Sequence, residues 1–330
     1  MRFRSLMALI RPVMVPTALG DTFLGVGCAA MSLSAVAFSP KLVLICFTSI
    51  LMYAGGMVQN DIADAAADRK ANAPRPLVDG RVKPSSALFL FVALWGLAAA
   101  FVVLICILTP AHIQGSFVSH RLLVALCALA VAVLVTLYNY THKRLRGVSP
   151  FLMGLARLLN ALLAAFAIGL TIQDILSDRI ILLVLCSYSL YVVAVTFLSL
   201  AEDKEEGRFP VLCAVLAALL ALFCASPLLR FEGVSLWFFV LVLVVLSFFV
   251  TMAWLFSSPH RRKLLPLYVP ALISPVALLG GLAAVFFSLA EPTSLLVAGC
   301  LIAALFPAVA SYFVVKAGKL SARLGKNPQE

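Results

Sequence analysis

Residues 60 to 68 read Asn-Asp-Ile-Ala-Asp-Ala-Ala-Ala-Asp, a carboxylate cluster in a chain of which only 12% is charged. On a helix turning about 100° per residue, Asn60, Asp61, Asp64 and Asp68 fall near 0°, 100°, 40° and 80°, within one arc of about 100°. The alanines between them favour helix and take little room, so the carboxylates can converge. Acids on one face repel one another unless a cation lies among them. Oxygen donors with no His or Cys in the cluster select a hard ion, Mg²⁺, held by a few carboxylates and completed by phosphate oxygens and water. Asp61, Asp64 and Asp68 are therefore candidate metal ligands, with Asp64 and Asp68 also candidate catalytic residues and Asn60 a candidate substrate contact. A lone D-x-x-D is more often a solvated helix end. The third Asp, the Asn and the place at the end of an apolar segment favour the metal.

The connection that follows carries Arg75-Pro76-Leu77 and Gly80-Arg81. Arg75 has the planar fork that matches diphosphate oxygens, and Pro74, Pro76 and Gly80 are suited to turning the chain back over the mouth as a cap. The competing account of Arg75 and Arg81 is topological charge alone. Further on, Tyr138-Asn139-Tyr140-Thr141-His142-Lys143-Arg144 places two rings two residues apart, expected at the mouth. Lys143, a candidate catalytic residue, and Arg144 project onto phosphate or headgroups, although an interfacial aromatic and basic belt has the same composition. A second acidic cluster occupies 201 to 208. There Glu202, Asp203 and Glu206 share an arc of about 100° and form candidate metal ligands, whereas Glu205 points about 60° to the other side. Two opposed carboxylate walls with metal between them would clamp a diphosphate leaving group. A solvated loop with Lys204 and Arg208 pairing locally is the alternative.

These residues need elements to hold them, and composition says what kind. The chain has 330 residues, 63% of them hydrophobic, and a mean hydropathy of +1.10, which one soluble core cannot absorb. Apolar stretches of about 20 residues recur, each long enough as a helix to cross about 30 Å of hydrocarbon. We expect about nine or ten transmembrane helices in an all-α bundle, with spans near 12 to 36, 41 to 60, 85 to 109, 121 to 140, 149 to 171, 179 to 200, 209 to 229, 234 to 256, 267 to 289 and 293 to 315. No soluble domain is left over, so 1–330 reads as a single membrane domain. The start MRFRSLMALIRP resembles a signal sequence, yet the long apolar run and the spans after it argue against cleavage.

Basic residues gather in alternate connections, which places the acidic loops and both termini in the cytoplasm. The net charge of +11 is thus topological and faces anionic lipid; no nucleic-acid partner is expected. All eight cysteines fall inside expected spans with no C-x-x-C pair, reading as small buried residues. Two charges are expected inside the bilayer, Asp21 roughly 14 Å and Arg157 roughly 12 Å along their spans. Each is costly against lipid, so both should face the interior, with an Asp21–Arg157 ion pair as the economical arrangement. Arg157 and Asn160 share a face at i, i+3 and are candidate substrate contacts.

The stretch NDIADAAADRKANAPRPLVDGRV resembles the N-D-x-x-D-x-x-x-D, R-P-L and G-R signature of the UbiA superfamily of intramembrane prenyltransferases. Arg11-Pro12 resembles that family's Arg-Pro start, and Tyr138 to Arg144 its Tyr-x-Tyr-x-Lys-Arg segment. Met153 to Asn160 resembles the G-x-x-R-x-x-N of an EboC-like branch, with Ser199 to Glu202 a looser echo. The resemblance implies a helical barrel around a central cavity, in a bacterial inner membrane. It also implies transfer of a prenyl group from a Mg²⁺-bound polyprenyl diphosphate to a lipophilic or aromatic acceptor. On that basis Asn60, Arg75, Tyr138, Tyr140, Arg144, Arg157 and Asn160 are substrate-binding. Glu202 and Glu206 stand where most of the superfamily has D-x-x-x-D, and the family's usual nine spans contrast with ten counted here. Two other classes fit less of the chain: an isoprenoid-binding protein without turnover, and a cation-coupled transporter, whose ion ligands normally lie at the midplane.

Overall fold

The computed structural model describes residues 3–11, 15–33, 39–71, 75–111, 118–142 and 144–200. They form eight helices, with no strand among them: α1 (Phe3–Ile10), α2 (Val15–Ser32), α3 (Pro40–Lys70), α4 (Pro84–Leu108), α5 (His120–Thr141), α6 (Ser149–Ile168), α7 (Ile172–Ser177) and α8 (Arg179–Leu200). Five are long and apolar enough to cross a membrane: α3, α4, α5, α6 and α8 over Arg179–Phe197. The chain is an integral membrane protein. The expected spans from 209 onward lie outside the described residues, as do Cys213, Cys224 and Cys300.

Each boundary has a local cause. Ser39 caps α3 by accepting from the Leu42 amide at 3.4 Å, with Pro40 in the first turn. Thr171 and Asp174 close a reciprocal capping box on α7. Gly169 ends α6 at φ 126°, a conformation that a side chain would strain. The expected first span, 12 to 36, contains α2, and a further short helix, α1, precedes it. Arg11 precedes Pro12, which disfavours helix at the residue before it, and α1 ends at Ile10 with Arg11 at φ 51°. α2 is 18 residues long and carries Asp21, and it is not among the five spanning helices.

The core lies between α2, α3, α5, α6 and α8, where Ile45, Ala161, Leu163, Leu170, Ile181 and Tyr188 are essentially inaccessible. α2 and α6 touch backbone to backbone at Gly25, where a Cβ would stand 1.9 Å from the Ala161 carbonyl oxygen. α4 sends Ala98, Val102 and Ile105 into this core and turns Leu88, Phe89, Val92, Val103 and Ile107 outward, as a helix at the lipid boundary should. The longest helix sets up the site. At 31 residues α3 is about 46 Å long, some three turns more than a hydrocarbon core of about 30 Å requires. Those last turns are residues 60 to 70.

Candidate active site

At this end of α3 a small cap closes over the helix. The segment after Arg75 turns through hydrogen bonds from the Val78 and Asp79 amides to the Arg75 carbonyl at 2.9 and 3.0 Å, and from the Val82 amide to the Pro76 carbonyl at 3.0 Å. Gly80 sits in the turn at φ 75°. Leu77 and Val82 bury themselves against Leu9 of α1, Val58 of α3 and Ala87 of α4, so α1 is pinned over the same mouth. Arg81 is spent on Asp79 at 2.6 Å, and its hydrogen bond holds that carboxyl below the usual carboxylate range.

The acids are held by cations. Arg11 Nη2 donates to Asp61 Oδ1 at 2.7 Å, and Arg75 lies between Asp61 and Asp68, 3.8 Å from each. Asp64 accepts from the Asn60 amide at 3.4 Å and faces His142 Nε2 at 3.8 Å. The His142 ring stacks on Tyr138 with centroids 5.4 Å apart. Here the expected ligand set departs from a three-carboxylate site. Among the described residues no three His, Cys, Asp or Glu side chains gather closely enough to hold a metal, and Asp61 is buried on Arg11. Arg11 and Arg75 stand among these carboxylates, in the place a cation would take. The donors still suit Mg²⁺: Asp64 and Asp68, i and i+4 at the mouth, offer hard oxygens only, and Mg²⁺ takes one or two carboxylates plus substrate phosphate.

Beneath the mouth lies a cavity of about 210 Å³ between α2, α3, α5 and α6. Its outer end is bounded by Gly56 and Asn139, one helical turn from Asn60. Asn139 donates to the Gly56 carbonyl at 3.1 Å and to Gln59 at 3.2 Å, and Gln59 donates to Thr136 at 3.0 Å, tying α3 to α5. Met52, Met57, Val131, Val135 and Met153 give it apolar walls. Its inner end is polar. Arg157 Nη1 pairs with Asp21 at 3.0 Å and Nη2 donates to the Thr17 carbonyl at 2.6 Å. Asn160 donates to Asp21 at 2.9 Å and to Ser49 at 2.6 Å, Ser49 donates to the Ala18 carbonyl at 2.8 Å, and the Tyr188 hydroxyl donates to Asp21. Three helices meet at one carboxylate, and α3 joins them through Ser49.

The structure thus brings Asn60, Asp61, Asp64, Asp68, Arg75 and Tyr138 to the mouth, and Arg157 and Asn160 to the cavity floor. Tyr140 differs from the expectation: two helical positions from Tyr138 it points about 200° away and is 59% exposed. Arg144 is exposed just past α5, and Lys143, Glu202, Asp203 and Glu206 lie outside the described residues. The sequence does not single out Arg11 and His142 as site residues, Tyr188 as a partner of Asp21, or Ser49 as a partner of Asn160. The Arg-Pro break before α2 was the available signal for Arg11, whereas Ser49 and Tyr188 carry none.

The family model of the UbiA prenyltransferase family matches residues 22–274. The chain belongs to that family. Comparison with curated proteins returns no match. Among solved structures, a UbiA homologue from Archaeoglobus fulgidus bound to DMAPP and Mg²⁺ is 16% identical, covers 85% of this chain and 99% of its own, and superposes with a TM-score of 0.52. An apo UbiA homologue from Aeropyrum pernix K1 is 19% identical over 83% of this chain and 97% of its own, TM-score 0.53. A structure from work on digeranylgeranylglyceryl phosphate synthase in membranes is 18% identical over 86% and 98%, TM-score 0.54. At these identities the UbiA neighbours speak for the fold.

Proposed function

We propose that this chain transfers a prenyl group from a Mg²⁺-bound polyprenyl diphosphate to a lipophilic or aromatic acceptor inside the membrane. The observation that carries this reading is the stacking of an acid- and arginine-bearing mouth directly on an apolar cavity. Family membership and the A. fulgidus homologue's structures with DMAPP or GPP and Mg²⁺ support it.

Asp64 and Asp68 would hold the metal, with Glu202, Asp203 and Glu206 as the opposing wall. Bound Mg²⁺ supplies charge neutralisation on the departing diphosphate. Arg75, already between two carboxylates, exchanges them for phosphate oxygens that its fork fits, and Lys143 and Arg144 add positive charge at the same end. Asn60 and Tyr138 bound the entry. The allylic carbon–oxygen bond breaks with its electron pair leaving on diphosphate. An electron pair of the acceptor then closes the new bond at that carbon, and the acceptor gives up a proton. Met52, Met57, Val131, Val135 and Met153 keep water from the allylic cation meanwhile. Arg157 and Asn160 hold the acceptor from below. The acidic mouth opens to the cytoplasm of a bacterial inner membrane.

Diphosphate release in proteoliposomes tests the reading. Wild type should release diphosphate from a polyprenyl diphosphate only with Mg²⁺, and equally folded Asp64→Ala should not. Absence of release by folded wild type, across chain lengths and with acceptor extracts, would reject it in favour of an isoprenoid-binding protein.

A further inference from the structure

The inner end of the cavity holds one cation and one anion, already paired. Arg157 is the only basic residue among the described cavity-lining residues, and Asp21, fully buried, lies 3.0 Å from it. Their charges cancel. A carboxylate or phosphate delivered there would enter a low-dielectric site as a third charge without a partner, a cost its hydrogen bonds cannot return.

Hydrogen-bonding capacity points the same way. A guanidinium has five N–H donors, and Asp21 and the Thr17 carbonyl engage two, so Arg157, with 18% of its side chain accessible, has donors left for the cavity. The Asn160 amide nitrogen is committed to Asp21 and Ser49, so the group it still offers is its carbonyl oxygen. One donor and one acceptor side by side suit a hydroxyl, which both accepts and donates, better than a carboxylate, which only accepts. The volume of about 210 Å³ exceeds the roughly 150 Å³ that admits benzene in an engineered apolar cavity, so one ring with a short substituent fits.

We infer that the acceptor end of this site takes an uncharged single-ring phenol or similarly small alcohol, and discriminates against carboxylates and phosphates. The inference rests on the transfer reading for the word acceptor, but its test does not use turnover. Calorimetric titration of the full chain in detergent, without Mg²⁺ or diphosphate, would compare 4-methylphenol with 4-methylbenzoate at neutral pH. The phenol should bind about tenfold tighter or more. Asp21→Asn, which removes the counter-charge and keeps the shape, should reverse the order. Val135→Trp, which fills the cavity, should abolish phenol binding and serves if Asp21→Asn does not fold. Equal or tighter binding of the benzoate by wild type, no binding of either probe, or phenol binding untouched by Val135→Trp would overturn the inference. Phenol preference with no diphosphate release in proteoliposomes sinks the transfer reading alone; benzoate preference with release intact sinks this one alone.

Discussion

Arg157 of α6 and Asp21 of α2 form an ion pair of 3.0 Å whose carboxylate is inaccessible to solvent and also accepts from Asn160 and Tyr188. It fastens three helices around the floor of the cavity. Removing one partner leaves the other charge buried and unmatched, which costs about 3–5 kcal/mol. Arg157→Ala and Asp21→Ala should therefore each lower the melting temperature in detergent sharply. The double variant Asp21→Asn/Arg157→Gln, neutral on both sides, should lose less than either alanine variant. Equal melting of single variants and wild type would show that the pair contributes nothing to folding.

At the mouth, the acids divide by what already holds them. Asp61 is buried and accepts from Arg11 at 2.7 Å, whereas Asp64 and Asp68 face Asn60, His142 and Arg75 at 3.4 Å or more. Asp64→Asn and Asp68→Asn should each cut diphosphate release by about 10²-fold or more and raise the Mg²⁺ concentration for half-maximal rate. Asp61→Asn should lower thermal stability and shift that Mg²⁺ requirement far less. Identical Mg²⁺ profiles for all three variants would contradict the division.

Arg75 touches both Asp61 and Asp68 at 3.8 Å and is partly exposed toward the mouth. Arg75→Lys keeps the charge but loses the fork, so it should raise KM for the prenyl diphosphate about tenfold while preserving the fold. An unchanged KM would confine Arg75 to bracing α3 and its cap.

How far the sequence reveals this arrangement depends on the range of each interaction. The shared face of Asn60, Asp61, Asp64 and Asp68 follows from helical periodicity, and the pairing of Asp21 with Arg157 from the cost of charge in a bilayer, so both are legible in the chain. The engagement of Asp61 by Arg11 is not, because it depends on the break before Pro12 and on α1 folding back to bury Leu9 beside Val58. Tyr140 lies about 200° round the helix from Tyr138, so adjacency in sequence does not become adjacency in space. Ser49 and Tyr188 reach Asp21's network from 28 and 167 positions away in the chain, through packing that no local pattern encodes.

Gly25 offers the sharpest test of that packing. A Cβ there would lie 1.9 Å from the Ala161 carbonyl oxygen and 2.8 Å from its carbon, both backbone atoms that cannot rotate aside. Gly25→Ala must push α2 away from α6, and because Asp21 sits one turn earlier on α2, the shift also pulls its carboxylate from Asn160 and Arg157. Overpacking of this kind costs about 1–3 kcal/mol or more, and broken hydrogen bonds to Asp21 add to it. Gly96 of α4 is the matched control: a Cβ there meets nothing within 4 Å, and Ala in a helix is favoured over Gly by about 0.5–1 kcal/mol. Gly25→Ala should melt well below wild type in detergent and lose phenol binding at the cavity, while Gly96→Ala should melt at or above it with binding intact. Similar melting of the two variants would mean that α2 and α6 do not meet as closely as 1.9 Å implies.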